Sequence, residues 1–148
     1  VATAIYSKKS GGCQYKDGAS AISVSQTVVD PYSGQSNIIK FDRPDELLIL
    51  VQVNYASSSA IVDPTTVVKA AVLAYAAGLV NGQPGFAVGR NISPFEIMGA
   101  ISQVAPNLFI KSVLICFSSA PSYAPVELPI ALWQQGFTNN TSITVNPV

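Results

Sequence analysis

The stretch Phe41-Asp42-Arg43-Pro44, followed by Glu46-Leu47-Leu48-Ile49-Leu50-Val51-Gln52-Val53-Asn54-Tyr55, constrains the fold more than any other. Pro44 has no backbone N–H and biases its predecessor away from helix, so it ends the unit before it. Beyond it, Leu47, Ile49, Val51, Val53 and Tyr55 fall on one face of a strand. Leu48 and Leu50 fall on the other face and give way to Gln52 and Asn54. One face is therefore expected to be deeply buried, and the other half covered near its start.

The next segments supply helices to cover the buried face. Asp63 is a good N-cap, and Pro64 suits the first helical position, where no N–H is needed. Val67, Ala71, Ala74, Tyr75 and Gly78 share one helical face, while Val68, Val72, Leu73 and Leu79 spread further round. Such a helix is expected to be buried by more than one neighbour. Asn81-Gly82 and Pro84-Gly85 are expected to stop it, and Phe86-Ala87-Val88 reads as a short strand. Ser93-Pro94-Phe95-Glu96 has the spacing of a capping box. It opens a helix through Ile97, Met98, Ile101 and Val104 that Pro106 closes. Leu108 to Phe117 is a second long strand. Pro129 to Trp133 and Ser142 to Val145 read as a final hairpin turning at Phe137 to Asn140.

Before Pro44 the pattern is one of strands and turns. Ala4-Ile5-Tyr6 reads as a short strand, and Ser10-Gly11-Gly12 and Lys16-Asp17-Gly18 as turns. Ala21 to Val28 alternates apolar and polar, Asp30-Pro31-Tyr32-Ser33-Gly34 is a turn, and Ser36 to Phe41 is a strand, so residues 20–41 form a hairpin. The expected fold is α+β: a β-rich lobe at 1–45, then an α+β sandwich at 46–148. In the second domain two helices cover one face of a mainly antiparallel sheet, in roughly ferredoxin-like form.

Composition excludes several functions. The 148 residues carry eight basic and eight acidic side chains, so nothing suggests an electrostatic hold on nucleic acid or anionic lipid. Only 11% of residues are charged and mean hydropathy is positive, so much of the surface of so small a chain must be neutral or apolar. Apolar surface of that kind marks contact with other proteins, which implies an assembly subunit. A piece of a longer chain, with its exposed faces covered by the remainder, would look the same. The run Ala70 to Val80 is far shorter than the ~20 residues of a membrane-spanning helix and reads as buried helix.

No histidine is present, so the usual general base and the commonest transition-metal ligand are both missing. Asp42, Asp45 and Glu46 are the only carboxylate cluster, and they flank Arg43 and Pro44 where acidic residues serve turns. The Asp residues lack EF-hand spacing, and no cysteine pair is spaced for zinc. Cys13 and Cys116 read as buried or idle thiols, with a bridge between them the alternative in a secreted protein. Gly85 to Arg90 lacks the Lys-Ser/Thr end of a phosphate loop. Asn139-Asn140-Thr141 and Asn140-Thr141-Ser142 match the glycosylation sequon. The expectation is a protein that is not an enzyme and holds no cofactor or metal.

Several of these features occur together in one known family. Thr3-Ala4-Ile5-Tyr6, the Gly11-Gly12-Cys13 and Asp17-Gly18 turns, Ile39-Lys40-Phe41 and Arg43-Pro44 before a Val-rich strand resemble the C-terminal part of the baseplate J-like family. So do the Asp63 helix, the Gly-rich break, the helix with Ile97 and Ile101, and the strand from Leu108. Members are wedge proteins of contractile phage tails and related injection machines. The resemblance implies a virion baseplate subunit, made in the bacterial cytoplasm, that contacts other baseplate proteins and copies of itself. It supplies no catalytic motif. Arg43, Tyr55, Arg90 and Trp133 are the candidate contact residues, because Arg, Tyr and Trp favour interface centres. A second reading is an adhesin-type module that recognises a cell-surface carbohydrate, with Trp133 and the loops at Ser57-Ser58-Ser59 and Asn139-Asn140 as its surface.

Overall fold

The computed structural model describes residues 1–8, 22–56 and 62–148. The fold is α+β, and the chain divides into two compact units, Val1–Asp45 and Glu46–Val148. Cys13, the Gly-rich turns around it and Ser57-Ser58-Ser59 lie outside the described residues. Among the described residues, no helix is long and apolar enough to cross a membrane.

The first unit is a helix, α1 (Ala2–Lys8), and a hairpin of β1 (Ile22–Val29) and β2 (Ser36–Arg43). The two strands are antiparallel, in register from Ile22 opposite Arg43 to Val29 opposite Ser36. Asp30 builds the turn. Its Oδ1 accepts the amides of Tyr32 and Ser33, and Gly34 takes the positive φ of 70° that the turn requires. The Tyr6 hydroxyl donates to the same carboxylate. That bond first, then the two amides, holds the Asp30 carboxyl down at about 2. Residues 4–6 are helical, where the short alternation predicted a strand. Ala2, Ile5 and Tyr6 stand at i, i+3 and i+4, and Ala2 is buried. Three residues of alternation carry less weight than that helical spacing.

The second unit is built on β3 (Asp45–Tyr55). Ile49, Val51 and Val53 are fully buried, and Gln52 and Asn54 on the other face are half-buried, as the alternation predicts. β4 (Ile110–Phe117) runs antiparallel along one edge of β3, with Val51 opposite Ile115 and Val53 opposite Val113. Two short strands, β5 (Gln134–Phe137) and β6 (Ile143–Pro147), border the other edge. β6 is parallel to β3, with Val51 beside Ile143 and Tyr55 beside Pro147. The sheet is therefore mixed, and the expected terminal hairpin is not formed. Residues 129–133 are not strand, and β5 and β6 each pair with β3.

Two helices cover the buried face. α2 (Pro64–Ala76) starts as expected, with Asp63 Oδ1 accepting the Thr66 amide at 3.2 Å and Pro64 in the first turn. It ends before the Asn-Gly and Pro-Gly pairs. Gly78 adopts φ 71°, its amide donates to Tyr75, and the Leu79 amide reaches back to Ala74. A glycine in that conformation closes a helix, so Gly78 is its terminus and not part of its apolar face. Val68, Ala71, Val72 and Tyr75 are buried, while Leu79 projects into solvent. α3 (Pro94–Val104) buries Ile97, Ala100 and Ile101. Residues 86–88, expected as a strand between the helices, form a loop. That removes the strand a ferredoxin-like order would require.

Candidate functional site

Two loops of the second unit, 86–92 and 128–135, are laced together at one end of the core. The Gly89 amide donates to the Gln134 carbonyl at 2.9 Å, and Ile92 and Leu128 exchange amide–carbonyl bonds of 3.0 and 2.9 Å. Asn91 Oδ1 accepts the Ile130 amide at 3.0 Å, and Gln135 Nε2 donates to the Phe86 carbonyl at 2.9 Å. Gly89 permits this approach. A Cβ there would come within 3.0 Å of the Leu132 Cα, and its φ is 68°.

Beneath the loops, the Phe86 ring meets the buried Tyr75 ring edge-on, with centroids 5.8 Å apart. The Tyr75 hydroxyl donates to Glu96 Oε2 at 2.7 Å, and Arg90 donates to Glu96 Oε1 at 2.8 Å. The expected capping box is therefore not made. Ser93 has extended backbone at the cap position but makes no side-chain cap bond, and the Glu96 carboxylate serves Tyr75 and Arg90. Burial first, then the Glu96 carboxylate, pushes the Tyr75 hydroxyl well above its ordinary range. The Tyr75 hydrogen bond first, and Arg90 with it, pulls the Glu96 carboxyl down against a partial desolvation cost.

A group whose folded pKa is depressed contributes stability above its unfolded pKa of about 4.3, and that contribution is lost as pH falls through the folded value. Glu96→Gln keeps an acceptor for Tyr75 but has no charge to titrate. Its acid-side loss of stability is expected to be shallower than the parent's, measured as urea midpoints across acid and neutral pH. Glu96→Ala leaves the buried hydroxyl without that acceptor and is expected to cost about 1–3 kcal/mol at neutral pH.

Above this network lies a concavity of about 600 Å³ lined by Gly89, Arg90, Asn91, Ser93, Glu96 and Glu127. Beside it the loops expose Val88, Leu132 and Trp133, the last two at 81% and 43%. Of the four candidate contact residues, Arg90 and Trp133 both lie on this loop pair. Arg43 ends β2 in the first unit and is exposed. Tyr55 is a core residue at 6% exposure, so its ring is not presented to a neighbour. Val88, Leu132 and Glu96 belong to the site and were not among the candidates. Leu132 was signalled by its apolar pairing with Trp133 after Pro129.

The polar candidates have structural work. Among the described residues, no three His, Cys, Asp or Glu side chains gather as a metal site needs. Cys116 is free and buried, and burial raises its thiol pKa. In the first sequon, Asn139 Oδ1 accepts the amide and hydroxyl of Thr141 at 3.0 and 2.7 Å. It accepts the amide and hydroxyl of Ser142 at 3.0 and 2.9 Å. That knot delivers the chain to β6. Asn139→Ala strips the acceptor from the buried Ser142 hydroxyl and is expected to cost about 1–3 kcal/mol by chemical denaturation.

No family of known proteins matches this chain, and no curated protein matches it.

Proposed function

We propose that this chain is a structural subunit of the tail baseplate of a phage or phage-like contractile injection machine, linking neighbouring wedge subunits. The observation that supports this reading most is that one hydrogen-bonded loop pair exposes Val88, Leu132 and Trp133 and also carries Arg90. Exposed large apolar and aromatic side chains together with an arginine have the composition of an interface centre. In a chain with only 11% charged residues, such a surface is suited to permanent cover by protein. The pattern from Phe41 to Tyr55 supports the same reading through its resemblance to the baseplate J-like family. In the particle, the sheet-and-helix unit would hold its shape, and this loop pair would bear on a neighbour when the baseplate rearranges.

The test is placement. Contractile particles labelled with an antibody against this chain and viewed by electron microscopy are expected to carry label in a ring at the sheath base. Particles assembled with the Leu132→Ser/Trp133→Ala variant are expected to lose that ring. Label confined to distal fibres, or absent from every particle, overturns the reading. Binding on a glycan array that is lost with Trp133→Ala would install the adhesin-type module in its place.

A further inference from the structure

Asn81-Gly82 lies in the turn after α2, and nowhere else in the chain does asparagine precede glycine. A bond from the Gln83 amide to the Val80 carbonyl, 3.0 Å long, spans the turn. Both residues inside it are exposed, and Gly82 stands at φ 75° with nothing within 4 Å of where a Cβ would be. Neither the Asn81 side chain nor the Gly82 amide has a hydrogen-bond partner in the structure. A carboxamide and the next backbone nitrogen are therefore left uncommitted side by side, with no side chain on Gly82 to keep them apart.

The other asparagines lack this freedom. The carboxamides of Asn37, Asn54, Asn91, Asn139 and Asn146 are each hydrogen-bonded. After Asn107 and Asn140 it is the following nitrogen that is taken. The Leu108 amide donates to the Ala105 carbonyl, and the Thr141 amide to Asn139 Oδ1. Asparagine is a thermolabile residue, and the structure leaves both of its reacting groups open at position 81.

We infer that Asn81-Gly82 is a site of covalent self-modification, at which the Asn81 carboxamide is lost as ammonia. Water is the only other reactant. The Gly82 nitrogen bonds to Asn81 Cγ as the Cγ–Nδ2 bond breaks. Nδ2 leaves as ammonia, taking up a proton in exchange for the one that the Gly82 amide loses, and a five-membered imide remains. Water then opens the imide at one of its two carbonyls. Cleavage at Cγ restores the ordinary chain, with an aspartate side chain at position 81. Cleavage at the main-chain carbonyl leaves Gly82 bonded through Cγ, an isoaspartate that adds a methylene to the backbone. Either product puts a carboxylate just beyond α2, whose last turn has no basic residue to meet it. The isoaspartate also lengthens the run from Val80 to Gly85, which packs closely against the turn that ends the helix. This rests on the turn alone and does not depend on the baseplate reading.

Held folded at mildly alkaline pH, the full chain is expected to accumulate a more acidic species on native isoelectric focusing. Peptide mass spectrometry is expected to place the change at residues 81–82, and an isoaspartyl methyltransferase to label part of it. Asn81→Gln, whose ring would need six members and closes far more slowly, is expected to lose both signals. A folded chain that stays unmodified while the urea-unfolded chain reacts overturns the inference, because the turn then protects the pair. So does a chain unmodified in both states, or an acidic species that survives in Asn81→Gln.

Discussion

Gly85→Ala is expected to cost about 3–5 kcal/mol, a large fraction of the stability of a domain this size. Two effects add. Gly85 sits at φ 66°, where an L-residue carries roughly 1–2 kcal/mol of strain. A Cβ there would also lie 2.6 Å from the Tyr75 carbonyl oxygen, 2.7 Å from the Gly78 nitrogen and 2.8 Å from the Gly78 Cα. All three are backbone atoms of the turn that closes α2, so no side chain can swing aside. Relief must come from pulling the 85–86 segment off the helix end, which loosens the Phe86 amide from the Ala76 carbonyl and its ring from Tyr75. Gly82→Ala is the control. Its φ is 75°, but nothing lies within 4 Å of the new methyl, so only the conformational strain should appear. Urea midpoints of the two variants separate strain from collision. A Gly85→Ala loss no larger than that of Gly82→Ala would mean that the helix end yields freely.

The parts of this fold legible in the sequence are those where a local pattern has only one way to be satisfied. The alternation from Leu47 to Tyr55 has one buried face whatever covers it, and Asp63-Pro64 starts a helix with its own side chain and ring. The misread parts are those where a local signal has a distant competitor. Glu96 stands three residues after Ser93, as a capping glutamate does, but the Tyr75 hydroxyl and Arg90 take its carboxylate. The final strands look like a hairpin because they are close in sequence. The vacant edge of β3 takes both, β6 in parallel, and the Asn139 knot turns the chain to reach it. The site shows the same division. Arg90 and Trp133 can be chosen by residue type, but what sets them on one loop pair is the approach of Gly89 to Leu132. Tyr55 has the residue type of a contact, but its alternation sets it beside Val51 and Val53 in the core.

Cutting the chain between its two units is expected to leave one half folded and the other not. Residues 46–148 hold the whole hydrophobic cluster, from Ile49 and Val51 through Tyr75 and Ile101 to Ile143. They include every strand of the mixed sheet except the first residue of β3. This fragment should keep its far-UV circular dichroism and unfold in one cooperative step. Among the described residues of the first unit, only Ala2 and Ile39 are buried apolar side chains. A two-stranded hairpin with one short helix is marginal in water, and so small a unit needs a staple or a neighbour to hold it. The 1–45 peptide is therefore expected to show a largely unfolded spectrum and no cooperative transition. Its most ordered feature should be the Asp30 turn. The Asp30 carboxyl, held near 2 in the folded unit against about 3.9 unfolded, favours the turn above that range and loses its hold as pH falls through 2. A cooperative transition in the isolated peptide would show that the unit carries its own core. Its absence would show that the unit does not hold its form once the rest of the chain is removed.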